Sequence, residues 1–135
     1  MIVDTSALLA FFNHTEPAHR ATRAIIESHT EPLIVSPYVV AELDYLVGTR
    51  IGVQAEVAVL RELAGGAWEL GTFDGADVTA AAKVVERYAD QRVGLADASN
   101  VVLAARYATR TIATLDHRHF SVLRPLNGGR FSIVP

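Results

Sequence analysis

The chain has 135 residues, half of them hydrophobic, and contains no cysteine. This length predicts one domain over residues 1–135, because a chain of this size buries roughly two thirds of its unfolded surface. The lack of cysteine excludes disulfides and thiolate zinc sites. No basic N-terminal segment with a cleavage site is present and no apolar run reaches transmembrane length, so we expect a soluble, cytoplasmic protein without a membrane partner.

The net charge of −3 is distributed unevenly along the chain. Residues 1–90 carry 6 Lys and Arg against 13 Asp and Glu, a balance of −7. Residues 91–135 carry six arginines against Asp97 and Asp116, a balance of +4. A basic C-terminal part is compatible with a surface that faces phosphate groups. It is equally compatible with two halves of the chain that face different parts of the solvent.

Short apolar strands alternate with helical segments along the sequence. Proline at position 37 and the glycine pair 65–66 mark a helix start and a helix end. This alternation predicts an α/β fold with a mainly parallel sheet of about four to five strands flanked by helices. In chain order we predict a strand at 1–4, helices at 5–12 and 16–28, a strand at 32–36, helices at 37–48 and 53–64, a strand at 67–71, helices at 74–90 and 95–108, and strands at 111–116 and 130–134.

Four acidic residues stand where this fold would place a ligand site. Open parallel sheets bind ligands beyond the C-terminal ends of their strands. Asp4 ends the first strand and Asp116 ends the fourth strand with its turn, whereas Glu42 and Asp97 lie among apolar residues of helical segments. Each acid also has an ordinary explanation, as a helix cap, a surface residue, a partner of the helix dipole or a turn residue. Their shared location favours a common site.

Clustered carboxylates require a counter-charge. Without one, repulsion and loss of solvation would raise their pKa values and destabilise the fold. Mg²⁺ removes this conflict, because it prefers oxygen ligands and retains several waters. Beside a phosphodiester, such an ion would activate water and neutralise the charge that develops on the phosphate. The pattern therefore predicts a divalent metal site, with Mn²⁺ as a plausible substitute.

Four segments in order give the chain a resemblance to one family: "VDTSALLA", "SPYVVAELDYL", "GLADASNVVLAA" and "IATLDHRHF". The chain resembles the PIN-domain ribonucleases, of the VapC type found in bacterial toxin–antitoxin pairs. The resemblance implies a three-layer PIN-like fold and a catalytic, metal-binding set of Asp4, Glu42, Asp97 and Asp116. It also implies a Mg²⁺- or Mn²⁺-dependent endoribonuclease, a homodimer, and a hetero-oligomer with a VapB-type antitoxin that neutralises the toxin.

Three polar residues are candidates for supporting roles. Thr5 and Ser6 match the hydroxyl-bearing segment that follows the first aspartate of the family, and Ser6 is the better candidate for orienting a carboxylate. Asn100 departs from the family pattern, which has an apolar residue there. On a helix Asn100 shares a face with Asp97. It either holds a metal-bound water or a phosphate, or makes a simple side-chain hydrogen bond within the helix region.

Arg118 and Arg124 are candidates for contacts with RNA phosphates. Their alternative role is that of ordinary surface salt bridges. His117 and His119 form an H-x-H pair after Asp116. We expect these two histidines to be polar turn residues, because no other ligand cluster supports a transition-metal site.

Three functional hypotheses remain at this stage. The first is a metal-dependent endoribonuclease toxin. The second is a non-catalytic partner-binding module whose acidic pocket receives an arginine of another protein. The third is a phosphohydrolase with Asp4 as nucleophile, which is less favoured because position 6 is serine and the D-x-D sequence of such enzymes is missing.

Overall fold

The computed structural model describes all 135 residues. The strands are β1 (Ile2–Val3), β2 (Ile34–Val35), β3 (Glu69–Leu70), β4 (Thr111–Ala113) and β5 (Ser132–Val134). The helices are α1 (Thr5–Phe12), α2 (His19–Ser28), α3 (Pro37–Arg50), α4 (Val53–Ala64), α5 (Gly75–Arg87), α6 (Leu95–Arg106) and α7 (His117–Val122), with a 3₁₀ turn at Ala89–Gln91. Every helix falls short of the length and apolar character that a membrane crossing requires.

The five strands form one sheet in the order β3-β2-β1-β4-β5. All neighbouring strands are parallel, and Ile2 lies opposite Ile34 on one side and Ile112 on the other. The predicted parallel sheet is therefore confirmed. Strands β2 and β3 extend the sheet on one side of β1, and β4 and β5 extend it on the other side. Since the strand order changes direction between β1 and β4, a crevice is expected at the C-terminal ends of these two strands.

Helices cover both faces of the sheet. Adjacent residues of a strand point to opposite faces, so Ile2 and Ile112 join an apolar cluster with residues of α5, α6 and α7. Val3 and Ala113 join a second cluster, which contains residues of α1, α2, α3 and α4. Each central strand is thus buried on both sides, as its uninterrupted apolar sequence indicates. This arrangement confirms the three-layer architecture.

Helix α3 is longer than predicted. It continues through Gly48 to Arg50, and the chain reverses at Gly52, whose φ of 128° favours glycine. Gly48 is an interior residue of this helix, and a Cβ atom there would lie 2.9 Å from a carboxylate oxygen of Glu56 on α4, the flexible end of a side chain that can move aside. The helix thus ends two residues after the predicted end near Gly48.

The short helix α7 was not predicted. The sequence indicated a turn at His117 and His119, but both residues lie in this helix. Asp116 begins it as the N-cap, because its side chain accepts a hydrogen bond from the backbone N–H of His119 at 3.0 Å. Asp116 thus has a capping role in addition to its place in the predicted site.

Candidate catalytic site

All four predicted acids line one open cavity of about 400 Å³. Asp4 follows β1, Asp116 follows β4, and Asp97 lies in the first turn of α6. Glu42 reaches the cavity from α3. The remaining polar and charged lining comes from Thr5, Ser6, Arg92 and His119. The fold therefore brings together carboxyl groups that are as much as 112 positions apart in the sequence, from 4 to 116.

Asp4 is the most firmly held of these acids. It is only 5% exposed, and its backbone N–H donates to the carbonyl of Ala113 at 3.0 Å. One carboxylate oxygen accepts from the hydroxyls of Ser6 at 3.0 Å and Thr114 at 2.8 Å. The other accepts from the side-chain amide of Asn100 at 3.0 Å. With three donors on two oxygens, the orientation of the Asp4 carboxylate is fixed.

Burial raises the pKa of Asp4 above its ordinary value. The hydrogen bonds from Thr114, Ser6 and the backbone oppose this rise, because they stabilise the charged form. The negative charge of Glu42 adds to it. The site therefore holds a carboxylate whose charge is only partly compensated by the protein itself.

Asp97 is the second acid whose pKa is perturbed. Burial and the nearby charge of Asp4 raise the pKa of Asp97 to about 6, and Asp116 contributes in the same direction. The backbone N–H of Gly94, which lies 3.3 Å from the carboxylate, and the side chain of His119 oppose the rise. Burial and the neighbouring acids therefore both disfavour the charged form of Asp97, as expected for a site that a cation would complete.

Glu42 is tied to the segment that follows Asp4. Its carboxylate accepts a hydrogen bond from the hydroxyl of Thr5 at 2.5 Å. Thr5 is buried, whereas Glu42 is exposed to the cavity and to solvent. The hydroxyl of Thr5 therefore orients Glu42, and the hydroxyl of Ser6 orients Asp4.

His119 lies between two of the acids. Its Nδ1 atom is 2.9 Å from an oxygen of Asp116 and 3.5 Å from an oxygen of Asp97. The direction of these contacts is not that of a hydrogen bond, and Nδ1 has no hydrogen-bond partner. The other ring nitrogen, Nε2, lies 3.0 Å from the carbonyl of Gln91. His119 therefore joins the segment before α6 to the acidic cavity.

Asn100 is fully buried on α6, and its side-chain amide donates to Asp4, which lies outside the helix region, so the alternative of a hydrogen bond within that region is not what the structure has. Its own carbonyl oxygen is buried without a partner. The amide can rotate by half a turn and exchange the positions of its oxygen and nitrogen, because the two ends have the same shape. Asn100 is thus suited to either a charged or an uncharged neighbour at position 4.

The donor set of the cavity fits a hard divalent cation. Carboxylate oxygens are the ligands that Mg²⁺ and Mn²⁺ prefer, and the acids repel one another when no ion is present. No group of three or more Asp, Glu, His or Cys side chains is already placed to enclose an ion. Mg²⁺ does not require such an enclosure, because it retains several waters and binds through one or two carboxylates.

Three residues of the site were not predicted from the sequence. Thr114 is a buried threonine at the end of an apolar strand, two positions before Asp116, and that position was its only signal. His119 was considered only as part of a turn. Arg92 lines the cavity in a left-handed backbone conformation, with φ of 54°, which is unusual for a residue with a side chain.

The two predicted RNA-binding arginines lie outside the cavity lining. Arg118 is exposed on the first turn of α7. Arg124 follows the same helix, and its guanidinium donates to the carbonyls of Ser121, Val122 and Leu123 at 2.7 to 3.0 Å. Arg124 therefore caps the C-terminus of α7, and its contact with RNA stays a prediction.

Known proteins resemble this chain along most or all of its length. The PIN domain family model matches residues 1–124. Ribonuclease VapC26 of Mycobacterium tuberculosis is 64% identical over 135 residues, which are 100% of this chain and 100% of that protein. An identity of this level over the full length indicates common descent and the same fold.

Solved structures also share the fold. The crystal structure of Mycobacterium tuberculosis VapC20, described as a sarcin–ricin loop cleaving toxin, has a TM-score of 0.85 and 18% identity, covering 99% of this chain and 98% of that chain. The DNA-bound VapBC structure from Salmonella typhimurium has a TM-score of 0.72 and 17% identity, covering 98% and 96%. With the family model and the 64% identical relative, the chain belongs to the PIN-domain family and is a homologue of the VapC ribonucleases.

Proposed function

We propose that this protein is a toxin that hydrolyses RNA phosphodiester bonds as a metal-dependent endoribonuclease, built as a single PIN-like domain over residues 1–135. The observation that carries this proposal is the convergence of Asp4, Glu42, Asp97 and Asp116 on one open cavity at the switch point of the sheet. The 64% identity to a ribonuclease over the full chain supports the same substrate class. The perturbed pKa values of Asp4 and Asp97 support a catalytic role for the acids.

Asp4, Asp97 and Asp116 would hold Mg²⁺ or Mn²⁺, with Glu42 binding directly or through water. A bound ion of this kind lowers the pKa of water and neutralises charge on a phosphate. The residues of the chain supply the geometry: Ser6, Thr114 and Asn100 fix the Asp4 carboxylate, and Thr5 fixes that of Glu42. Because the cavity is open on one side, an RNA strand can lie across it.

We propose a VapB-type antitoxin as the protein partner, and a homodimer that forms a hetero-oligomer with it. The Salmonella VapBC structure and the FitAB structures, which share the fold with TM-scores of 0.60 to 0.72, support the antitoxin partner, and the homodimer follows from the family resemblance. We propose a cytoplasmic location, since RNA and the antitoxin would meet the toxin there. The alternative module, in which the cavity receives an arginine from another protein, would use the same acids without any metal.

A cleavage assay tests the proposed activity. The purified protein is incubated with total RNA and Mg²⁺, and the 5′ ends of the products are mapped. We expect a small set of new 5′ ends that depends on Mg²⁺ or Mn²⁺ and disappears with EDTA. Intact RNA under all these conditions, or cleavage that persists in EDTA, would contradict the proposal.

Removing the Thr114 hydroxyl is expected to reduce RNA cleavage by about 10- to 100-fold, the usual effect of losing a partner that orients a metal ligand. Thr114→Val keeps the shape of the side chain but leaves Asp4 with fewer hydrogen bonds. The measurement is the initial cleavage rate as a function of Mg²⁺ concentration. Thr79→Val, which removes an exposed hydroxyl on α5, is the matched control. Equal rates for Thr114→Val and the wild type would show that this hydrogen bond does not support the site.

A further inference from the structure

A second cavity, of about 180 Å³, lies outside the catalytic cavity and has a basic lining. Its charged residues are Lys83 and Arg87 of α5 and Arg124 after α7, and no acidic residue lines it. Its other residues are apolar or aromatic, including Tyr88 and Leu126. Three cations around one small cavity repel one another, so an anion that enters would gain from all three.

None of these three cations is neutralised by an ion pair. Arg124 is held in place by the carbonyls at the end of α7, through one nitrogen of its guanidinium. Arg87 lies over the ring of Tyr88, with its guanidinium carbon 5.5 Å from the ring centre. The cavity therefore has a fixed cation, a cation supported by an aromatic ring and an exposed lysine, and each can donate to phosphate oxygens.

The basic cavity is close to the catalytic cavity along the chain. Tyr88 lines the basic cavity and Arg92 lines the catalytic cavity, and only the 3₁₀ turn at Ala89–Gln91 lies between these two residues. Four virtual bonds separate their Cα atoms by at most about 15 Å. The linings of the two cavities are therefore close enough at this point for one extended RNA strand to reach both.

The charges of the two cavities are complementary in function. Four carboxylates in the catalytic cavity repel an RNA backbone, and a metal ion offsets this repulsion only locally. Attraction for the strand has to come from cations nearby, because phosphate contacts supply most of the affinity of proteins for nucleic acids. Lys83, Arg87 and Arg124 provide uncompensated positive charge at a suitable place.

We propose that Lys83, Arg87 and Arg124 form a phosphate-binding subsite that holds the RNA backbone next to the catalytic cavity. The inference rests on the proposed ribonuclease function for the identity of the ligand. Arg124, a candidate for RNA contact from its sequence position, would then act at this subsite and not at the scissile bond.

The test measures RNA binding in the absence of cleavage. A fluorescein-labelled single-stranded RNA is titrated with the full-length protein in EDTA, at salt concentrations from about 50 to 200 mM. For the double variant Lys83→Gln/Arg87→Gln we expect the slope of log affinity against log salt to fall by about 1.4, since each single-strand phosphate contact contributes about 0.7. Over this range the wild type should then lose roughly sevenfold more affinity than the variant.

The control variant is Arg50→Gln/Arg61→Gln, which removes the same charge from the ends of α3 and α4. All four substituted side chains belong to exposed residues, and circular dichroism verifies that both variants are folded. An unchanged slope for Lys83→Gln/Arg87→Gln, an equal fall in the control, or no RNA binding by the wild type would overturn the proposal. A fall in slope without Mg²⁺-dependent cleavage would preserve the subsite and contradict the nuclease function.

Discussion

Asp4→Asn is expected to reduce RNA cleavage by more than about 100-fold. This loss is larger than the one expected when a residue that only orients a metal ligand is removed. The substitution removes the negative charge of the most buried acid in the cavity and leaves its shape unchanged. The measurement is the initial rate of RNA cleavage with saturating Mg²⁺. An unchanged rate would show that Asp4 has no role in catalysis.

The same variant is expected to remain folded, with a free energy of unfolding equal to or above that of the wild type. The hydroxyls of Ser6 and Thr114 can still donate to the oxygen of an asparagine at position 4. Asn100 can turn its unpartnered oxygen toward the new amide. Asp44→Asn, on the same helix as Glu42 but outside the cavity lining, is the control for loss of a carboxylate and should cleave RNA normally.

Asp97→Asn is expected to stabilise the metal-free protein at pH 7 by about 1–2 kcal/mol. The pKa of Asp97 is raised from 3.8 to about 6, which corresponds to a cost of up to about 3 kcal/mol for the ionised group. The expected gain is smaller because the side chain is partly exposed and its charge is partly screened. Asparagine removes the charge, and its oxygen can still accept from the N–H of Gly94.

The raised pKa of Asp97 determines how the stability difference between Asp97→Asn and the wild type should change with pH. Between pH 3.8 and about 6 the folded protein binds more protons at Asp97 than the unfolded chain, so the contribution of Asp97 to the stability of the wild type falls as the pH rises. The difference in unfolding free energy between Asp97→Asn and the wild type should be near zero at the acidic end, grow across this range and level off above it. Urea titrations in EDTA at several pH values measure it, and a difference that does not vary with pH would contradict the account.

With a divalent ion present, we expect the order of stability to reverse, so that the wild type is more stable than Asp97→Asn. An ion that binds the folded protein alone stabilises it by about 2.7 kcal/mol at a hundred times its dissociation constant. The wild type should therefore gain stability from Mg²⁺ or Mn²⁺, whereas Asp97→Asn should gain less because a ligand is missing.

The sequence predicted the architecture well because its strands are short apolar runs between clear helix signals. Ile2-Val3 and Ile112-Ala113 are buried on both sides, and that burial appears in the sequence as uninterrupted apolar character. Gly48 was misleading because α3 continues past it to Arg50, and a glycine inside a helix costs only about 1 kcal/mol relative to alanine. Helix α7 was missed because six residues with two histidines carry no helical periodicity, and its start depends on the cap by Asp116.

The acids of the site were predictable because carboxylates among apolar residues are costly without a function. The contacts that support these acids were harder to predict from the sequence. The hydrogen bond from Thr114 to Asp4 joins residues 110 positions apart, so it depends on the pairing of β1 with β4. The places of Arg92 and His119 depend in the same way on how the segments before α6 and within α7 meet over the sheet. Arg124 was predicted as an RNA contact, but its capping of α7 required the structure.

The central claim is that the carboxyl groups of Asp4, Asp97 and Asp116, which are far apart in the sequence, bind one divalent ion together. Anomalous scattering from crystals soaked in Mn²⁺ tests it most directly, since it locates the metal independently of activity. We predict a manganese peak in the catalytic cavity, bound by oxygens of Asp4, Asp97 or Asp116, and its loss in Asp97→Asn crystals treated identically. If a crystal soaked in saturating Mn²⁺ shows no manganese in this cavity, or shows manganese only elsewhere, the claim is contradicted. That result would favour a cavity that receives an arginine from a partner protein.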